Sequence, residues 1–239
     1  MRRKNVLLGI ALFGLGCLTG VIASYGFYKY HLIPVDNGDT YNPSKFDYQG
    51  IDVSNHQGKI DWEKVAADTK IQFVYIKATE GATHVDKSYA HNIIEARKNG
   101  FKVGSYHYLR NTSVIREQFE NFKKIAKKES QDLIPMVDVE ERVDKDSIRL
   151  FCKLAEKYYG KKPAIYGTNR SYNSFCAPDF NDYILMIGRY GNNRPVINGT
   201  GHYDIWQFSE KGKIPGIPKA VDLDRIHPDF KVTELFLYN

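Results

Sequence analysis

Apolar and polar positions alternate along this chain in two rhythms that take turns. Short runs rich in β-branched and aromatic residues read as strands: "YQGIDVS" (48–54), "IQFVYIKA" (71–78), "FKVGSYHYLR" (101–110), "LIPMVDVE" (133–140), "PAIYG" (163–167) and "YILMIG" (183–188). Between them lie stretches with a helical period. "IDWEKVAAD" (60–68) offers a turn or two, and "KSYAHNIIEARKNG" (87–100) is a helix that stops at Gly100. Ile115, Phe119, Phe122 and Ala126 form a stripe within 113–129, and Ile148, Phe151, Leu154, Ala155 and Tyr158 share a face within 145–159. After about residue 180 the helical stripes stop, and "HYDIWQFS" (202–209) and "KAVDLDRI" (219–226) read as further strands.

This alternation predicts an α/β fold with a parallel sheet and crossover helices. At least five strand–helix units followed by strands alone point to a barrel that loses its helices late. An open doubly wound sheet is the alternative, but no Gly-rich phosphate loop follows the first strand.

The first residues follow neither rhythm. "MRRKN" is basic, and Val6 to Tyr28 is a run without a charged side chain. As a helix it would span roughly 34 Å, enough for a bilayer core of about 30 Å. Residues 1–28 therefore read as a signal-anchor that contacts the inner membrane through residues 6–28. A cleaved signal peptide, with small residues at Val21 and Ala23, and lipidation at Cys17 are the competing readings. All three export the rest of the chain, which places it in the cell envelope or outside the cell. Residues 29–46 are polar and turn-rich and read as a linker, with one catalytic domain over 47–239.

Composition changes this picture only modestly. Of 239 residues 42% are hydrophobic, sufficient for a packed core, and 17 tyrosines stand against two tryptophans. Tyrosine joins an apolar body to a hydroxyl, which suits sugar faces, although it is also an ordinary strand residue. The net charge of +6 suits an anionic partner such as a cell wall. No block of Lys and Arg follows the N-terminus, so nucleic acid is not expected as a partner. The histidines have no metal-ligand spacing, and no nucleophile elbow supports a serine triad. His107 should face the helices. Cys152 and Cys176 could pair outside the cell or remain buried thiols.

Candidate chemistry lies in acids at strand ends, where a parallel barrel places its active site. Asp52 ends "GIDV", Glu80 follows "IKAT", Asp138 and Glu140 end "IPMVDVE", and Asp222 and Asp224 lie in "AVDLD". Asp138 and Glu140 are two apart and share a face. Acids at strand ends often cap the next helix, a role that fits Asp144, Asp146 or Glu141. Capping needs one acid, however, and a second on the same face brings repulsion. Two carboxylates facing one pocket suit glycosidic cleavage, one as proton donor and one as stabiliser of positive charge at the sugar carbon. Tyr106, Tyr108, Tyr166 and Trp206 are candidate sugar platforms.

Taken in order, "GIDVSNHQGKIDW" (50–62), "YIKATEG" (75–81), "GSYHYLR" (104–110), "PMVDVE" (135–140), "AIYG" (164–167), "IWQF" (205–208) and "VDLDRI" (221–226) closely resemble the family 25 glycoside hydrolases, lysozymes of the Chalaropsis type. The resemblance implies a TIM-like (β/α)5(β)3 barrel that acts without a cofactor. It implies hydrolysis of the β-1,4 bond between N-acetylmuramic acid and N-acetylglucosamine in peptidoglycan. By matching motif, Glu140 is expected as general acid and Asp138 as the group that orients or stabilises the reacting sugar. Configuration would be retained with help from the sugar's 2-acetamido group. Asp52 and Asp222 would line the same mouth, and Glu80, Tyr106, Tyr108, Tyr166 and Trp206 would hold substrate. This chain has Asp224 where the motif commonly has Asn, and Ile226 where it commonly has an aromatic. A monomer is expected. A non-catalytic peptidoglycan-binding barrel and a glycosidase for another N-acetylated glycan such as chitin are the alternatives.

Overall fold

The computed structural model describes residues 48–68, 70–199 and 201–238. The expected signal-anchor and linker lie outside these residues. No helix among the described residues is long and apolar enough to cross a membrane.

Nine strands form one sheet: β1 (Gly50–Val53), β2 (Phe73–Glu80), β3 (His84–Val85), β4 (Lys102–Tyr108), β5 (Met136–Asp138), β6 (Ala164–Thr168), β7 (Leu185–Gly188), β8 (Ile205–Gly212) and β9 (Val221–Ile226). The order β1-β9-β8-β7-β6-β5-β4-β2 closes on itself because β1 also pairs with β2; β3 is a short hairpin appended to β2. The helices are α1 (Trp62–Val65), α2 (Tyr89–Lys98), α3 (Ile115–Ile125), α4 (Lys145–Tyr159) and α5 (Asn169–Phe175). Five βα units are thus followed by three strands, the expected (β/α)5(β)3 barrel. Apart from that hairpin, the pairings among β1 to β8 are parallel. β9 is antiparallel to both of its neighbours.

Local chemistry explains the elements. Asp144 opens α4 by accepting a hydrogen bond from the Ser147 backbone N–H at 2.9 Å, and the helix ends at Gly160. Its buried face is Ile148, Phe151, Cys152, Ala155 and Tyr159, turned slightly from the stripe expected, with Leu154 and Tyr158 half-buried. β5 is shorter than its apolar run because Pro135 has no N–H to give a ladder. α5 and β3 carry no apolar period long enough to be seen in the sequence.

The barrel interior is filled by alternate side chains. Phe73 and Tyr75 of β2 occupy its lower part, and glycines on the adjacent strands admit their rings. A Cβ at Gly50 would lie 2.0 Å from the Phe73 ring, and one at Gly104 would lie 2.5 Å from that of Tyr75. Outside the sheet, His107 faces the helices as expected. It stacks on Phe151 with centroids 4.9 Å apart and meets Phe122 edge-on. Burial lowers its pKa to about 4. The neutral ring accepts from Thr79 at Nδ1 and donates from Nε2 to Gln118. Cys152 and Cys176 are both buried free thiols.

Candidate active site

The strands that close the barrel deliver their inward-facing residues to one cavity of about 120 Å³ at its mouth. It is lined by Asp52 (β1), Tyr106 (β4), Met136 and Asp138 (β5), Glu140 just beyond β5, Tyr166 (β6), Met186 (β7), Tyr190, Gln207 (β8) and Asp222 (β9). Period-two alternation puts Asp138 and Glu140 on the same side. Asp138 is buried, whereas Glu140 stands exposed on the rim. Asp52 and Asp222 are direct cross-strand partners. Because β9 runs backwards, Asp222 reaches the mouth from the start of its strand.

Gln207 ties one wall together. Its Nε2 donates to Asp52 Oδ2 at 2.6 Å, and its Oε1 accepts from the Tyr166 hydroxyl at 2.7 Å and the Tyr190 hydroxyl at 3.1 Å. The Tyr166 contact depends on Gly188, where a Cβ would lie 2.5 Å from that hydroxyl. Asp138 Oδ1 has no hydrogen-bond partner among the described residues.

Enclosing several acids together raises their pKa values. Burial, then the charge of Asp222, holds Asp52 well above the usual carboxylate range, with the Gln207 hydrogen bond opposing. Burial, then Glu210 and Glu140, moves Asp222 to about 6. Asp138 is held well above its ordinary value by burial and by Glu140, with Lys77 opposing. Partial enclosure raises Glu140, again against Lys77. These shifts favour proton retention in the pocket, and a proton donor beside a charge-stabilising carboxylate is the requirement for glycosidic cleavage.

Known proteins share this architecture. The sequence profile of the glycosyl hydrolases family 25 matches residues 51–217. The chain belongs to that family. Family 25 membership makes it a glycoside hydrolase of the lysozyme, or muramidase, kind. The Escherichia coli K12 protein YegX is 34% identical over 208 residues, covering 83% of this chain and 75% of that protein. The autolytic lysozyme of Clostridium acetobutylicum is 33% identical over 183 residues, 74% of this chain and 55% of that protein. Among solved structures, a family 25 glycosyl hydrolase from Bacillus anthracis superposes with a TM-score of 0.71 at 27% identity, covering 80% of this chain and 93% of that one.

In this family 25 hydrolase the structure brings Asp52, Asp138, Glu140, Asp222, Tyr106 and Tyr166 together around the cavity. Three other candidates fall elsewhere. Trp206 is on the opposite face of β8 from Gln207; its indole donates to the Arg189 carbonyl at 2.7 Å, and it lines a shallow outer pocket with Tyr203 and Ile226. Alternation along β8 permits only one of these neighbours to face inward, and the polar one does. Glu80 lies outside the cavity lining and is held by Lys77 at 2.7 Å and by Arg110 at 3.7 Å. Burial pushes its pKa up, but Lys77 and Arg110 together lower it overall. Tyr108 is likewise outside the lining, with the Lys77 ammonium 5.0 Å from its ring centroid. Asp224, which stands where the motif commonly has Asn, is fully buried inside the barrel, with neither carboxylate oxygen hydrogen-bonded among the described residues.

Sequence reasoning overlooked Gln207, Tyr190, Met136 and Met186. Gln207 had a signal, since it is a polar side chain in the apolar run "IWQF". Tyr190 lies in a loop beyond β7 and had none.

Proposed function

We propose that this cavity cleaves the β-1,4 bond between N-acetylmuramic acid and N-acetylglucosamine in peptidoglycan, with Glu140 as the general acid. The observation that carries the reading is the convergence of Glu140, Asp138, Asp52 and Asp222 from three strands and one strand end on one cavity with tyrosine walls. Glu140, raised and on the rim, donates its proton to the departing glycosidic oxygen. The substrate's 2-acetamido oxygen closes on the anomeric carbon, and Asp138 accepts the acetamide N–H and stabilises the developing positive charge. Glu140, now a carboxylate, takes a proton from water, which opens the ring intermediate with overall retention of configuration. Asp52 and Asp222, with Gln207 holding Asp52, set the charge of the wall. Tyr106 and Tyr166 contact the sugar faces. The glycan strand is the partner. The chain acts at the cell envelope, tethered through residues 6–28 or released.

Glu140→Gln in the full chain tests the acid. Release of new reducing ends from purified peptidoglycan should fall on the order of 10²- to 10⁴-fold. Mass spectrometry of the wild-type products should find muramic acid at the new reducing end. Wild-type rates in the variant would remove Glu140 from this role. Glucosamine at the new end would reassign the bond, and binding without any cleavage by the wild type would indicate a non-catalytic barrel.

A further inference from the structure

The acids that line the mouth meet others of the same sign. Those facing the Asp138–Glu140 pair are Asp52 from β1, Glu80 from β2 and Asp222 from β9, with Glu210 from β8 beside Asp222. The hydroxyls of Tyr106, Tyr108 and Tyr166 face it from β4 and β6, and Glu141 stands next to Glu140 in sequence, paired with Arg110. Among the described residues, Lys77 is the cation that acts on both members of the pair. It has the same parity as Phe73 and Tyr75 and so points inward, opposite Tyr106 in the β2–β4 register. Its side chain is only 12% exposed.

The Lys77 ammonium is not loose. Glu80 Oε2 holds it at 2.7 Å, and the Tyr108 ring lies beneath it at 5.0 Å. Arg110 secures this clamp from the far side, reaching Glu80 and Glu141 and lying 5.7 Å from the Tyr108 ring. Tyr108 in turn pairs in register with Asp138. Glu80 and Tyr108, two of the three candidates that do not line the cavity, thus fix a cation near the acid pair.

We propose that Lys77 is a positioning residue for the cleavage reaction, its ammonium clamped by Glu80 and Tyr108 as the counter-charge to the Asp138–Glu140 pair. This rests on the proposed roles of that pair. Acetamide assistance needs Asp138 ionised, and burial together with Glu140 works against ionisation; Lys77 opposes both. The same charge keeps Glu140 from holding its proton too tightly to give it up. The clamp matters because a surface lysine would be screened and mobile, whereas a desolvated one acts at full strength from a fixed point.

The test is kcat/KM against pH on purified peptidoglycan for the full chain and for Lys77→Met, Lys77→Gln and Lys77→Arg, with Tm measured for each. Removing the charge should move both limbs of the profile upward by roughly half to one pH unit, so activity is lost chiefly on the acid side. Lys77→Arg should restore the wild-type limbs. Lys77→Gln keeps a polar head at the clamp should Met disturb the strand. Folded Met or Gln variants with unmoved limbs would overturn the proposal, as would a uniform loss at every pH that Arg does not relieve. Either result with Glu140→Gln still inactive would leave the general acid standing. An active Glu140→Gln would remove both.

Discussion

At the scale of single residues, the site depends on which carboxyls keep their protons. Asp224 is the clearest case. Its side chain is buried, lacks any hydrogen-bond partner among the described residues, and has Asp52 and Asp222 as charged neighbours. Burial, then Asp52 and Asp222, holds its pKa well above normal. A carboxyl that is neutral when folded and ionised when unfolded lowers stability once the pH exceeds its unfolded value near 3.9; below that value the penalty vanishes. Asp224→Asn removes the titration and nearly keeps the shape. Its Tm relative to wild type should therefore rise from pH 4 to pH 7, read by calorimetry at both ends. A difference that fell over this range would mean that Asp224 is ionised in the fold. The phase of β8 is also settled at this scale. Trp206 and Gln207 are both buried, so no contrast between wet and dry positions marks which of them faces inward.

At the scale of elements, much was legible. The helix expected over 145–159 is α4, with Asp144 as its cap, because a long amphipathic stripe and an N-cap acid are strong local signals. Asp144→Ala should cost about 1 kcal/mol, a fall of roughly 2–4 °C in Tm, with kcat/KM unchanged because the cap is not among the residues that line the cavity. A loss of activity without loss of Tm would contradict that separation. Less legible was the direction of β9. "VDLDRI" reads alike in either direction, since alternation has no polarity. Only pairing with β1 and β8 showed that it runs against them, which puts Asp222 at the mouth and Asp224 a layer below.

At the scale of the whole molecule, closure concentrates negative charge at one end of a chain with a net charge of +6. Asp52, Asp138, Glu140, Asp222 and Asp224 all have raised values and bind more protons folded than unfolded between about pH 4 and 6. Stability should therefore fall as pH rises through this window. His107, lowered to about 4, acts in the opposite sense, since it must charge on unfolding below about pH 6.5. The exposed capping and ion-paired acids, such as Asp144 and Asp179, lose their contribution only below about pH 4. Five raised carboxyls outweigh one histidine, so Tm should be higher near pH 5 than at pH 7.5. A Tm that instead rose steadily to pH 7.5 would mean that the mouth acids are ionised and neutralised in the folded chain.

The amino-acid order by itself determined the longer elements, their succession and the pairing of Asp138 with Glu140, because these depend on contacts a few residues apart and on periods of two and 3.6. The tertiary structure decided the rest: the closing of β1 on β9, the inward phase of β8, the clamp on Lys77 and the burial of Asp224. Each of these sets residues far apart in the chain against one another, and no local period encodes which of two buried faces, or which of two strand directions, will meet the partner.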